Sequence, residues 1–326
     1  MHQIKIGIVA TIVIGMALTA SGSVAQGENE QPRNRFEHDI LVETFGYDKN
    51  TPAAVDFEEM YQGCPARDCI PSIDEPEYVS ADEAAHFIRD DELVMAVDLN
   101  GDKRAWPIRV LDFHEIVNDT IGGHPVAVTW CPLCGSGLAF RREVGGEVVE
   151  FGVSGLLHDS DLVMYDRKTN SLWQQITGEA VMGPAVGETL QEVPATITEW
   201  ATWRSTHPET RVLSPPDSER DYGQNRHYAA YEQSDRLMFP AARRDLSIHP
   251  KTVVHGFSID GEHLAVTDTA LDENEKIEAR LGGHGVVITR HSDGRVTAVD
   301  GDGREYAAVR SFWFAWFNFH PDTGRI

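Results

Sequence analysis

Alternation of hydrophobic and polar residues is the dominant pattern of this chain, and it predicts β-strands. The alternation begins at Leu93 and reaches an Asn-Gly pair typical of a tight hairpin, after which a returning strand follows at once. Predicted strands cover residues 93–99, 105–108, 126–130, 148–157, 162–165 and 171–176. Together with a few short helices, these strands predict a β-rich α+β fold.

A tryptophan pattern occurs twice and predicts two short helices. Residues 200–210 and 313–323 both read Trp-x-x-Trp-x-x-x-His-Pro, then an acidic residue and Thr. Positions i, i+3 and i+7 share one helical face, and a residue before proline leaves the helical region. We therefore expect a buried indole stripe in each helix. We also expect His207 and His320 to interact with the ends of their own helices, with a ligand role as the alternative.

The chain also resembles itself at a fixed offset. Laying residues 94–131 over 254–291 gives 11 identities in 38 positions without a gap. This self-similarity predicts a tandem duplication of a strand-hairpin-strand unit. Copy one covers about 90–213 and copy two about 251–326, and a long loop over 214–250 separates them. A loop of that length in a compact domain is often functional or mobile.

The N-terminus has the features of a secretory signal peptide, predicted to cover residues 1–25. Its apolar run of 15 residues at 6–20 is shorter than the roughly 20 needed to cross a bilayer. We expect an exported protein that begins near Gln26, periplasmic or secreted, with no membrane insertion after cleavage. Residues 26–76 are rich in proline and predict a loop-rich wrap with one short helix. The duplicated β-rich domain then covers 77–326.

Composition limits the partners and the chemistry. The chain has 28 Lys and Arg residues against 52 Asp and Glu residues, a formal net charge of −24. Such an acidic surface repels nucleic acid and anionic lipid, so neither is expected as a partner. No phosphate-binding glycine loop, hydrolase elbow, His-Glu-x-x-His helix or haem-attachment motif occurs in the sequence. We therefore expect no nucleotide cofactor and no serine-hydrolase activity.

The segment TWCPLCGS (129–136) carries Cys131 and Cys134 and allows two interpretations. In thioredoxin-like enzymes a Cys-x-x-Cys pair opens a helix whose N-terminus lowers the pKa of the first thiol. Here two glycines and a predicted strand follow Cys134, so that helix is not expected. The form Cys-Pro-x-Cys-Gly is instead typical of metal-binding knuckles.

The sequence leaves more than one set of partners open for this knuckle. Cys64 and Cys69 could complete a four-cysteine zinc site, but two separate disulfides are equally possible, and we favour Cys64–Cys69 as a structural disulfide. The knuckle would then need other ligands. His114 is the first candidate and His158 a further one, which gives a mixed site suited to copper or zinc.

Two other hypotheses use the same cysteines. Cys131 could be a nucleophile with His114 as base and Glu115 nearby, or the pair could be a redox-active dithiol. Alternatively, the domain is a non-catalytic binding module whose Cys-x-x-Cys forms a structural disulfide. The sequence leaves open whether the protein is an enzyme.

Five motifs along the chain resemble a bacterial and archaeal family of exported proteins called domain of unknown function 3179. They are DKRAWPIRVLDFHEIVND (102–119), VAVTWCPLCGSGLAFRR (126–142), FGVSGLLHDSDLVMYDRKTNSLWQQITGEAVMGP (151–184), WATWRSTHPETRVLS (200–214) and FWFAWFNFHPDT (312–323). The likeness runs from about Ile70 to the C-terminus and implies no biochemical function.

The resemblance indicates which residues of this chain belong to the family's motifs. Those that match the family motifs include His114, Glu115, Asn118, Asp119, Cys131, Cys134, Ser154, Gly155, Asp161, Asp166, Arg167, Trp173 and Lys251. In the family, glycine-rich sequence precedes the Ile-Pro that corresponds to Ile70 and Pro71. Cys64 and Cys69 therefore look like a local addition, which supports a separate disulfide and argues against a four-cysteine zinc site.

Overall fold

The computed structural model describes residues 38–217, 220–223 and 228–326. The predicted signal peptide and the first residues of the predicted wrap, 26–37, lie outside the described residues. In chain order the strands are β1 (Met60–Gln62), β2 (Tyr78–Ser80), β3 (Leu93–Leu99), β4 (Asp102–Pro107), β5 (Ile116–Ile121), β6 (His124–Cys131), β7 (Ser136–Arg141), β8 (Glu143–Val144), β9 (Glu147–Val148), β10 (Phe151–His158), β11 (Asp161–Asp166), β12 (Leu172–Gln174), β13 (Ala180–Met182), β14 (Glu192–Val193), β15 (Thr196–Glu199), β16 (Arg211–Leu213), β17 (Val253–Ile259), β18 (Glu262–Thr267), β19 (Ile277–Leu281), β20 (His284–Arg290), β21 (Val296–Asp300), β22 (Glu305–Ala307), β23 (Val309–Phe312) and β24 (Gly324–Arg325).

The helices are few and short. They are α1 (Ala81–Ala84), α2 (Ile108–Leu111), α3 (Trp200–Thr206), α4 (Ala229–Glu232), α5 (Asp268–Glu273) and α6 (Trp313–Phe319), with a π-helical segment at Ile40–Thr44 and a 3-10 turn at Phe57–Glu59. The prediction of a β-rich α+β fold is confirmed. In the described part of the chain, no helix is long and apolar enough to cross a membrane.

The strands form five main sheets and one small hairpin. The knuckle sheet has the order β14-β7-β6-β5, and the inserted sheet has the order β1-β10-β11-β12-β13. Two further sheets have the orders β15-β3-β4-β16-β2 and β23-β17-β18-β24, a fifth has the order β19-β20-β21-β22, and β8 pairs with β9. Strands β8 to β13 follow β7 and precede β14, so they lie within the sequence of the knuckle sheet.

Two parts of the fold have the same strand order. In β15-β3-β4-β16 and in β23-β17-β18-β24, the first three strands are antiparallel and the last pairs parallel. Each group is accompanied by an antiparallel sheet of four strands, β5-β6-β7-β14 in one case and β19-β20-β21-β22 in the other. The long inserted sheet has no equivalent in the second group of described strands.

The two tryptophan helices have matching ends. In α3 the His207 N–H donates to the carbonyl of Trp203 at 3.0 Å, and in α6 the His320 N–H donates to Trp316 at 2.9 Å. Each imidazole lies on its own indole, with ring centroids 4.0 and 4.2 Å apart. Both histidines therefore interact with their own helix ends, the arrangement that the spacing predicts.

The described part of the N-terminal wrap is fastened to the inserted sheet. Strand β1 pairs with β10 in antiparallel register from Met60 opposite His158. The next turn is closed by the disulfide between Cys64 and Cys69, as predicted. The Asp68 N–H donates to the carbonyl of Val153 at 2.9 Å, so the disulfide-closed loop lies against β10.

Candidate metal centre

The two cysteines of the knuckle lie on a tight turn between β6 and β7. Cys131 is the last residue of β6 and pairs with Ser136 at the start of β7. Gly135 has a positive φ of 60°, and a Cβ there would lie 2.7 Å from the ring of Phe312. The Phe312 N–H donates to the carbonyl of Cys134 at 2.7 Å. A strand follows Cys134 instead of an activating helix, as the sequence predicts.

Asp161 reaches the same place from the inserted sheet. Strand β10 ends at His158, and the next two residues, Asp159 and Ser160, both have positive φ values that turn the chain sharply into β11. Asp161 is the first residue of β11 and is fully buried. One carboxylate oxygen of Asp161 and the sulfurs of Cys131 and Cys134 all lie within 4.8 Å of one another.

One oxygen of the Asp161 carboxylate is firmly held and the other is not. Oδ2 accepts hydrogen bonds from Gln174 Nε2 at 2.6 Å and from the Ile176 N–H at 3.0 Å. Oδ1 is buried without a well-aligned hydrogen bond, and the carboxyl group interacts with the thiols of Cys134 and Cys131. A buried polar atom without a well-aligned partner costs about 1–3 kcal/mol, and more when it is charged. Oδ2 therefore fixes the side chain, and the other contacts of the carboxyl group are with the two sulfurs.

Several acidic groups share this buried region. Burial raises the pKa of Cys131, raises that of Cys134 well above its usual value, and raises that of Asp161. Burial, followed by the negative charges of Asp112 and Asp161, raises the pKa of Glu115 to about 8. Ionising two thiols and a carboxylic acid so close together is unfavourable without a compensating positive charge.

The separations of the three candidate ligand atoms allow a tetrahedral metal ion. Zinc binds sulfur at about 2.3 Å and carboxylate oxygen at about 2.0–2.2 Å, which places ligand atoms about 3.5–3.8 Å apart. The observed limit of 4.8 Å is compatible with that separation. With three ligand groups from the described residues, a tetrahedral ion would keep a fourth position for another group.

Neither predicted histidine belongs to this group of ligand atoms. His114 Nδ1 lies 2.8 Å from the carbonyl of Pro71, and Nε2 lies 3.0 Å from the hydroxyl of Tyr222, so both ring nitrogens have partners away from the sulfurs. His158 Nδ1 lies 2.8 Å from Gln174 Oε1. His158 therefore supports the residue that holds Asp161, and the structure brings Asp161 to the cysteines in place of both histidines.

Asp161 carries signals that the sequence reasoning did not use. It lies three residues after the candidate His158, and it belongs to the motif that resembles the family. The spacing of 27 residues from Cys134 gives no indication of contact, because the contact depends on how β10 and β11 pack against the knuckle sheet. Sequence reasoning therefore named the two cysteines of this cluster and missed its aspartate.

Glu115 and Cys131 also line a cavity of about 170 Å³. Glu115 has a positive φ of 55°, which is rare for a residue with a side chain, and its carbonyl accepts the Trp130 N–H at 2.7 Å. Strained backbone of this kind is concentrated at functional sites. The predicted base His114 points elsewhere, and the raised pKa of Cys131 keeps its thiol protonated at neutral pH without a metal.

Comparison with known proteins adds one finding. A family model described as "Protein of unknown function (DUF3179)" matches residues 67–323. No curated protein and no solved structure matches the chain.

Proposed function

The chain belongs to the DUF3179 family, whose function is unknown, and from the geometry of its buried site we propose that it is an exported zinc-binding protein. The ligands are Cys131, Cys134 and Asp161. The observation that carries this proposal is the grouping of one oxygen of the buried Asp161 carboxylate and two buried sulfurs within 4.8 Å of one another.

A divalent cation resolves the electrostatic conflict of the site. Two thiolates and one carboxylate carry three negative charges, and Zn²⁺ leaves a net charge of about −1. Gln174 and the Ile176 N–H already fix Oδ2 of Asp161. Hydrogen bonds that orient a ligand in this way are typical of metal sites, where they also tune affinity.

The ligand set favours zinc over copper. Thiolates bind both Cu(I) and Zn²⁺, whereas a carboxylate is a hard ligand that is common at zinc and poorly suited to Cu(I). Three protein ligands and a fourth position open to water or substrate are typical of catalytic zinc sites, while structural sites have four protein ligands.

The alternative hypotheses have less support. A cysteine nucleophile requires an imidazole beside Cys131, and His114 has its partners at Pro71 and Tyr222. Cys131 and Cys134 are both free thiols. A redox-active dithiol therefore remains the second candidate, because two free thiols joined by a tight turn could also form a disulfide.

We also propose that the two groups of strands arose by tandem duplication. The shared strand order, the matching helix ends and the 11 identities at a constant offset support this origin. Export is supported by the N-terminal pattern and by the Cys64–Cys69 disulfide, because disulfides persist in oxidising compartments.

The test is metal analysis of protein exported to a bacterial periplasm. We expect about one equivalent of zinc in the native protein and loss of zinc in Cys131→Ser and Asp161→Asn. His114→Gln separates our proposal from the sequence-based hypothesis, and it should keep the zinc. Zinc lost from the His114 variant but retained by Asp161→Asn would overturn the assignment of Asp161. Native protein without metal, together with two alkylatable thiols, would overturn zinc binding itself.

A further inference from the structure

A cavity of about 170 Å³ lies beside the proposed zinc ligand Cys131. Its walls come from three parts of the fold: the knuckle turn, strands β10 and β11, and the segment that contains Tyr228 and Phe239. The disulfide residue Cys64 contributes to the wall near the N-terminal wrap. The cavity therefore lies where the proposed metal centre, the inserted sheet and the long loop meet.

The lining is mostly apolar and includes a few polar side chains. Val153, Leu157 and Leu162 belong to the apolar walls, and all three are buried. Glu115, Cys131 and Tyr228 bring polar side chains to the lining. An apolar cavity of about 150 Å³ is large enough to bind benzene. The volume and lining therefore suit a ligand with a compact hydrocarbon body and one polar atom.

We propose that this cavity binds a small uncharged molecule with an apolar body about the size of benzene and a single polar group, such as an alcohol, directed toward Cys131 and Glu115. The proposal rests on the proposed zinc centre, which would leave a coordination position for that polar group.

Charge decides the class of ligand. An anion would approach a zinc centre whose net charge is already about −1, and it would be repelled. A charged group of either sign would also lose its water against the apolar walls, which costs several kcal/mol without a paired partner. An uncharged polar group avoids both penalties and can still form one hydrogen bond or one metal bond.

The outer wall is held by specific hydrogen bonds, so the cavity is a built feature of the fold. Ser160 Oγ donates to the carbonyl of Phe239 at 2.6 Å, and Tyr231 Oη donates to the carbonyl of Leu133 at 3.1 Å. Lys251 Nζ donates to the carbonyl of Arg236 at 2.6 Å. These contacts tie the segment on both sides of Met238 to the knuckle turn, to the turn before β11 and to the residues before β17.

Met238 allows the cavity to be closed without disturbing the core. It lines the cavity and is 38% exposed, so a larger side chain there has room to fold over the opening. Val287 is also 38% exposed, and it lies on β20, outside the cavity lining. Met238→Trp is therefore the blocking variant, and Val287→Trp is its matched control.

The experiment titrates zinc-loaded protein with three probes that share one ring: benzyl alcohol, toluene and benzoate. Binding is followed by chemical-shift changes of the protein and by calorimetry. We expect benzyl alcohol to bind at least tenfold more tightly than toluene or benzoate. We expect Met238→Trp to lower the affinity for benzyl alcohol at least tenfold and Val287→Trp to leave that affinity unchanged. Both variants should retain one zinc. Equal affinity of Met238→Trp and Val287→Trp for benzyl alcohol would overturn the proposal.

Two further results separate this inference from the zinc proposal. Glu115→Gln should keep the preference for benzyl alcohol over toluene, and Glu115→Leu should reduce it severalfold, because only the amide preserves a polar partner. Preferential binding of benzyl alcohol that depends on Met238, in a protein that never contains zinc, would refute the metal centre and support the cavity. Zinc-loaded protein that binds none of the probes would refute the cavity and leave the metal centre standing.

Discussion

Replacing Gln174 with leucine removes the side-chain donor that orients Asp161 and keeps a buried side chain of similar size. Gln174 Nε2 lies 2.6 Å from Asp161 Oδ2, a short hydrogen bond to a carboxylate. Such charge-assisted bonds contribute about 1.5–3 kcal/mol. Because every 1.4 kcal/mol is a factor of ten, we expect zinc affinity to fall about 10- to 100-fold, the range seen when residues that orient metal ligands are removed.

Gln175 provides the matched control. It is also fully buried, and its amide bonds to Thr129 Oγ1 at 3.0 Å and to the Ser136 carbonyl at 3.3 Å, away from Asp161. Gln175→Leu should lower the free energy of unfolding by about 1–3 kcal/mol, like any substitution that leaves buried polar groups unpaired. Its zinc affinity should stay within about threefold of native.

The assay is competition for zinc with a chromogenic chelator at pH 7.4, on protein that circular dichroism shows to be folded. Equal losses of affinity in Gln174→Leu and Gln175→Leu would mean that general destabilisation explains the effect. Native affinity in Gln174→Leu would mean that Asp161 is not a ligand whose orientation matters. Either result would refute the reasoning from the geometry of the carboxylate.

Three other predictions concern stability, each measured by urea unfolding. Replacing Cys64 and Cys69 together by alanine should cost about 2 kcal/mol, from the entropy of a very short loop; no change under oxidising conditions would show that the disulfide is not formed. Gly135→Ala should cost about 2–4 kcal/mol, because φ is 60° and the new Cβ would meet the ring of Phe312; a smaller loss in Gly135→Ala than in an exposed glycine with open space would contradict this. Burial and a neighbouring imidazole lower the pKa of His320 to about 4, below its unfolded value near 6.5, so the unfolded state binds more protons between those values. The free energy of unfolding should therefore fall by about 1–2 kcal/mol as pH drops from 6.5 to 4, and His320→Asn should remove that part of the slope.

The sequence pattern predicted those turns, strands and helix ends that are determined by neighbouring residues. The Asn-Gly turn after β3, the strand after Cys134 and the helix ends at His207 and His320 all depend on residues within a few positions of one another. The strand limits were less accurate: the predicted strand over 148–157 is divided between β9 and β10, and the predicted strand over 171–176 is shortened to β12. Pairing with neighbouring strands sets those limits, and alternation alone does not reveal it.

The candidate site was only half predictable for a related reason. The knuckle lies within one turn, so its sulfur pair is visible in the sequence. Asp161 comes from a different sheet, and its side chain reaches the sulfurs because β10 and β11 reverse at Asp159 and Ser160 beside the knuckle. The sequence pointed to His114 as the partner of the sulfurs, but the ring of His114 is held by Pro71 and Tyr222. The sequence therefore indicated the wrong neighbour of the sulfurs.

The difference between the two groups of strands explains why the proposed chemistry is confined to the first. In the sequence repeat Cys131 corresponds to His291, whose Nε2 lies 2.7 Å from Thr297 Oγ1 on the adjacent strand. The second group has no described counterpart of the inserted sheet, and thus no strand that could present a carboxylate as Asp161 does. If the two groups of strands arose by the proposed duplication, the metal centre required two changes in one copy. These are the cysteines in the turn and the insertion that carries the third ligand. The second copy instead supplies Phe312, whose backbone N–H holds the carbonyl of Cys134 at 2.7 Å, so it fixes the knuckle without contributing a ligand.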